Sequence, residues 1–196
     1  VNSITVDSNM TITAMNDSEG ETVPFVKEVE GDTPEIEDWL NAFEVEMKNT
    51  LKQRTSECLI ASSQMKKDEW LVKFPAQVCL ITNQILWTQQ VTNVIKSQKL
   101  RGLRVLQTKF IEQLDQLTEI IRQKISKLLR QVVSCLLINE VHNRDIITSL
   151  IHDGVQDVEN FKWMKQLRYY WEKETVMIKS INNDFEYSYE YAGNSA

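Results

Sequence analysis

Between Pro34 and Ser180 the chain carries only Pro75, Gly102 and Gly154 as strong backbone punctuation. Glycine raises the entropic cost of order and proline removes a backbone donor, so a long stretch nearly free of both favours helices. Across this stretch apolar residues recur at three- and four-residue steps, the period of one buried helical face. Ile36, Leu40, Phe43, Met47 and Leu51 form one stripe, and Val78, Ile81, Ile85, Val91 and Val94 with Trp87 form another. The longest runs through Leu103, Leu106, Phe110, Leu114, Leu117, Ile121, Ile125, Leu128 and Val132. Mixed flanking charges and amphipathic neighbours favour packing within a bundle over a free dimeric coiled coil.

Local signals set the expected boundaries. Asp32 or Thr33 caps the first helix, Pro34 suits its first turn, and Glu35, Glu37 and Asp38 complement its positive end. Ser62 to Asp68 reads as a loop, followed by a short helical piece from Glu69 to Lys73. Residues 1–32 form a partly β, loop-rich leading segment, in which Thr11–Met15 and Glu21–Val26 read as two strands around a polar turn. Pro24 restricts the second of them to an edge. The helical bundle spans residues 33–180, and its last helix is expected over Val155–Ser180, carrying Val158, Phe161, Met164, Leu167, Tyr170 or Trp171, and Ile178. Residues 181–196 form a strand and junction, because Phe185, Tyr187, Tyr189 and Tyr191 alternate with Glu186, Ser188, Glu190 and Ala192. The fold class is therefore mainly α: an antiparallel helical bundle or rod with a short N-terminal β-hairpin and a short C-terminal strand.

All five tyrosines fall in the last third of the chain, at positions 169, 170, 187, 189 and 191. So concentrated an aromatic block reads as a junction into a further module, and Val1 in place of methionine points to a piece of a longer chain.

Several functions gain no support. A net charge of −6 argues against nucleic acid as a partner. No apolar run is long enough for a membrane span, and no secretory signal opens the chain. Three cysteines without CxxC spacing read as buried free thiols in a reducing, cytoplasmic setting, and His142 and His152 lie too far apart to share a metal. None of the five glycines has phosphate-loop spacing, so the chain itself is expected to be neither an enzyme nor a holder of cofactor or metal. His142-Asn-Arg-Asp145 lacks the companions of a kinase catalytic loop. The carboxylates Glu28, Glu30, Asp32, Glu35, Glu37 and Asp38 are explained by a helix N-terminus.

Four blocks carry a family resemblance: Phe74-Pro-Ala-Gln77 with Gln84-Ile-Leu-Trp-Thr88; Val141-His-Asn-Arg-Asp145; Gln166-Leu-Arg-Tyr-Tyr-Trp171; and Phe185 to Asn194. Ser18-Glu-Gly-Glu21 and Glu37-Asp-Trp-Leu40 fit the same pattern. In order and spacing these resemble the C-terminal part of the linker of a dynein heavy chain, just before its first AAA+ module, with an axonemal lean around Phe74–Thr88. The family more often has leucine at Ala192 and glycine at Ser188. The resemblance implies a non-catalytic lever that couples ATP hydrolysis in the AAA+ ring to microtubule-based movement. It implies ATP and magnesium in that ring, none of them here. Its implied partners are the ring of the same heavy chain, microtubules and dynein intermediate and light chains. The implied location is the cytoplasmic cytoskeleton, in the axoneme of a cilium or flagellum. Trp163, Arg168, Tyr170, Trp171, Tyr187, Tyr189 and Tyr191 are then the candidate anchoring or ring-contact residues, with Arg168 the candidate polar contact. The alternative is an independent helical interaction or scaffold module.

Overall fold

The computed structural model describes residues 1–31 and 35–193. The expected helix caps Asp32 and Thr33, with Pro34, lie outside the described residues, as does Asn194. The chain divides into two compact units, residues 1–80 with 188–196 and residues 81–187.

In the first unit, β1 (Ser3–Val6), β2 (Thr11–Asn16) and β3 (Thr22–Glu30) form an antiparallel sheet in that order. The expected hairpin is β2–β3, and β1 extends it. Pro24 stands on β3, an edge strand, where a missing N–H is tolerated. The register jumps from Ile12↔Val29 to Ala14↔Pro24, so residues 25–28 bulge from the ladder. Two amides of the bulge are satisfied by helix α1 (Ile36–Gln64): Val26 N–H donates to Thr50 Oγ1 at 3.0 Å, and Lys27 N–H to Glu46 Oε1 at 2.9 Å. Thr50 and Glu46 are both buried, and the Thr50 hydroxyl donates to Glu46 at 3.1 Å. A polar pair inside the core thus replaces the missing ladder bonds.

The apolar floor of this unit is Ile12, Met15 and Val23 from the sheet with Met47 and Leu51 from α1. Only the second half of the expected α1 stripe is buried, however. Ile36 is 74% exposed and Leu40 49%, so the helix turns its first apolar residues outward. Helix α2 (Lys67–Lys73) follows a shorter loop than expected and buries Trp70 and Leu71. Cys58 and Cys79 are buried free thiols; a hydrogen bond with Cys58, then burial, pushes the Cys79 thiol well above its ordinary range.

Helix α3 (Ala76–Arg122) is two arms meeting at Lys99, whose φ of 51° and ψ of −141° are not helical. A Cβ on Gly102 would lie 2.5 Å from the Gln98 Cβ and 2.7 Å from Val94 Cγ1. Val94 is eight residues away, over two turns in a straight helix, so the arms fold back on each other and only glycine fits the corner. The long stripe ending at Val132 is interrupted as well. After Arg122 the chain turns, Ser126 Oγ accepts from Leu129 N–H at 3.2 Å, and α4 (Lys127–His152) begins. Arg130 donates to the carbonyls of Ile121 (2.6 Å) and Gln123 (3.2 Å), satisfying the end of α3. Gln107 and Thr148 join the antiparallel α3 arm and α4 at 2.7 Å. Between the helices lie Trp87, Val91, Ile95, Leu103, Phe110, Ile147, Leu150 and Trp163, all nearly inaccessible. Each such side chain contributes about 1.5–3 kcal/mol of burial.

The helix expected over Val155–Ser180 does not form. One helical turn, α5 (Phe161–Met164), is followed by β4 (Arg168–Glu172), β5 (Thr175–Ser180) and β6 (Asn183–Glu186), an antiparallel sheet in that order. Glu172 pairs with Thr175 across a two-residue turn, and both turn residues, Lys173 and Glu174, have positive φ of 51° and 60°. That is the type I′ geometry matched to strand twist. The expected strand from Phe185 is likewise cut short: β6 ends at Glu186, with one further backbone bond to β5 from Tyr187. Among the described residues no helix is long and apolar enough to cross a membrane, and no cluster of three or more His, Cys, Asp or Glu could hold a metal.

Candidate functional site

The most elaborate polar arrangement lies in the first unit, where residues 188–193 are tied down. It starts from the loop between β2 and β3. Asp17 Oδ1 accepts from the amides of Glu19 and Glu21, each at 2.8 Å, and Asp17 N–H donates to the Glu21 carbonyl at 3.1 Å. This Asx-type turn fixes the backbone of Glu21, whose side chain is buried.

The Glu21 carboxylate has two partners. Oε1 accepts from Ala76 N–H, the first amide of α3, at 2.7 Å, and Oε2 accepts from the Tyr191 hydroxyl at 2.8 Å. The first bond caps a helix-terminal amide and places negative charge at the positive end of the dipole. Burial pushes the Glu21 carboxyl above its ordinary range; the two donors partly offset this and nearby Asp17 adds to it. Tyr191 is pushed upward by burial and by Glu21, so its hydroxyl stays a donor.

Gln77, the next residue of α3, completes the hold. Its Nε2 donates to the Glu190 carbonyl at 2.7 Å, and its Oε1 accepts from Ala192 N–H at 2.8 Å. The side-chain amide therefore grips the two peptide groups flanking Tyr191 as a neighbouring strand would. Tyr189, Tyr191 and Gly193 are buried while Ser188, Glu190 and Ala192 are exposed, so the expected alternation holds from Ser188 on, whereas Phe185, expected on the buried side, is 56% exposed. Gly193 has φ of 60°, and a Cβ there would meet Asp17 Cβ and Oδ2 at 2.7 Å. Only glycine allows the tail to close against the loop.

The remaining candidates belong to the second unit. Trp163 is fully buried, its ring centroid 5.5 Å from that of Trp87. Arg168 is buried at the start of β4. Tyr170 is half-buried with Lys179 Nζ 5.2 Å from its ring, and half-buried Trp171 pairs with Val176. Tyr187 is half-buried and donates its amide to the Val176 carbonyl at 3.0 Å. Thr88 Oγ1 accepts from Tyr169 N–H at 3.0 Å, tying α3 to β4.

Parts of the motif blocks thus meet at two places. Ser18–Glu21, Phe74–Gln77 and the tail meet at the clasp, whereas Gln84–Thr88 and Gln166–Trp171 meet around Trp87, Thr88 and Tyr169. Glu21 and Gln77 were not singled out as site residues from sequence, although both lie inside quoted blocks. Their roles depend on partners up to 170 and 115 residues away.

Fold and clasp together define a helical structural segment whose C-terminal tail is locked to its own first unit. A family model described as dynein heavy chain, N-terminal region 2, matches residues 1–58. Dynein axonemal heavy chain 1 of Homo sapiens is 34% identical over 187 residues, covering 95% of this chain and 4% of that protein. Dynein axonemal heavy chain 2 of Homo sapiens is 34% identical over 189 residues, with 92% and 4% covered. Dynein axonemal heavy chain 12 of Mus musculus is 33% identical over 190 residues, with 96% and 6% covered. The chain belongs to the dynein heavy chain family. It spans only 4–6% of the length of these relatives. Their axonemal character matches the lean of the sequence and supports a cytoskeletal location in the axoneme of a cilium or flagellum.

Proposed function

We propose that this chain is the root of a dynein linker, a non-catalytic lever that couples ATP hydrolysis in an AAA+ ring to movement along microtubules. The observation that carries this reading is the clasp. A tail that continues into a ring module must transmit load to the lever, and a freely swivelling tail would dissipate it. Here residues 190–192 are gripped by Gln77, Tyr191 is tied to Glu21, and Gly193 is seated on Asp17. Each tie is a short-range contact between rigid elements, the kind of connection that carries displacement.

In this reading ATP and magnesium belong to the ring of the same heavy chain, and microtubules and the other dynein chains are partners of the whole motor. The buried aromatics of the second unit stiffen the lever, while half-exposed Tyr170, Trp171 and Tyr187 are available to the ring. The test uses a heavy chain containing this segment. Gln77→Ala combined with Tyr191→Phe is expected to slow microtubule gliding while ring ATP turnover persists. Unchanged gliding speed at matched turnover would sink the lever-root reading.

A further inference from the structure

Arg168 opens β4, is only 9% exposed, and its Nε is buried without a hydrogen-bond partner. The rest of its guanidinium makes no hydrogen bond or ion pair among the described residues either. A buried cation in that position has lost hydration and gained no counter-charge in return.

The acids on its own sheet face do not supply one. Alternation places Arg168, Tyr170 and Glu172 of β4 on one face with Thr175, Met177 and Lys179 of β5 and with Asp184 and Glu186 of β6. Lys179 stands opposite Arg168 in register and takes up two of the carboxylates, Glu172 at 2.9 Å and Asp184 at 3.7 Å. Glu186 accepts from the Thr175 hydroxyl at 2.9 Å. Glu172 lies four residues along the strand from Arg168, about 13 Å, and Asp184 lies two strand spacings away, about 10 Å. Lys179 itself puts a like charge beside Arg168. The surface around the guanidinium is nevertheless open: Leu167, just before it, is 57% exposed, and Tyr170 and Met177 are half-buried.

We propose that Arg168 is a socket for one carboxylate, an aspartate or glutamate carried by another part of the same heavy chain outside these 196 residues. The planar guanidinium fork matches a carboxylate through two parallel N–H···O bonds. The three acids already on this face disfavour a doubly charged phosphate. A charge that stays buried needs its counter-charge at high effective concentration, which a segment of the same chain supplies. Such a segment has ample room to exist, since this chain covers only 4–6% of the length of its relatives. The socket requires a longer heavy chain but not a lever.

Two measurements test it. In the 196-residue chain, Arg168→Met keeps the buried stem and removes the charge. Its urea midpoint is expected to equal or exceed that of the unaltered chain. A lower midpoint would show that the guanidinium is already paired and would overturn the proposal. In a heavy chain containing this segment, Arg168→Lys puts a primary amine at the same place. A water-soluble carbodiimide activates a carboxylate in contact with it, the amine displaces a urea, and an amide forms with net loss of water. Peptide mass spectrometry is expected to find that amide between position 168 and an aspartate or glutamate of the heavy chain outside residues 1–196. A link confined to residues 1–196, a link to a different polypeptide, or no link beyond the background of Arg168→Met would overturn the proposal.

Discussion

Tyr191 concentrates the physical logic of the clasp in one hydroxyl. Its partner Glu21 is buried, and a buried carboxylate oxygen without a donor is costly. Tyr191→Phe is therefore expected to destabilise the chain by about 1–3 kcal/mol, read from urea unfolding. A loss no larger than that of an exposed control, such as Ser8→Ala, would contradict this role. The same carboxylate gives a pH signature. Its folded pKa is raised, so above the ordinary carboxylate value the folded chain still holds a proton that the unfolded chain has released. Stability attributable to Glu21 is thus present at low pH and lost as pH rises through the raised value. The stability difference between the unaltered chain and Glu21→Gln is expected to drift against the unaltered chain across that window. A pH-independent difference would show that Glu21 does not titrate as described. Little of this was legible beforehand. The alternation of Tyr189 and Tyr191 was visible as a pattern, but a glutamate and a glutamine acting over long sequence separations leave no local trace.

At the scale of elements, periodicity located the α3 stripes and the β2–β3 hairpin because each rests on neighbours in sequence. It failed between Val155 and Ser180 for an identifiable reason. Phe161, Met164, Leu167 and Trp171 happen to keep helical spacing, and that outweighed the aromatic and β-branched runs Tyr169–Trp171 and Thr175–Ile178. The turn between those runs gave no warning, since Lys173-Glu174 adopts positive φ without asparagine or glycine. The next turn places Ile181 at φ of 54°, where its amide is held by the Met164 carbonyl at 2.7 Å. Tertiary bonding therefore selects these hairpins over local preference. The change from helix to sheet alters the weight of the tryptophans. Trp163→Ala is expected to cost about 3–5 kcal/mol, as a fully buried indole packed on Trp87. Trp171→Ala is expected to cost roughly half as much, because its strand position is only partly covered. Equal losses in chemical denaturation would place Trp171 in the core after all.

For the whole molecule, scarcity of glycine and proline predicted the mainly helical character correctly, and the exceptions have specific tasks. Gly102 permits the α3 corner and Gly193 permits the tail to close on Asp17. Family membership follows from similarity along nearly the entire chain; the mechanical role is a reading of the clasp. The most direct measurement of that role inserts a short flexible Gly-Ser segment immediately after Gly193 in a heavy chain containing this sequence. Displacement per ATP is then recorded in an optical trap beside bulk ATP turnover. A lever root predicts that turnover survives while displacement per ATP collapses, because load no longer reaches the clasp. Full displacement with the flexible insert in place would contradict it.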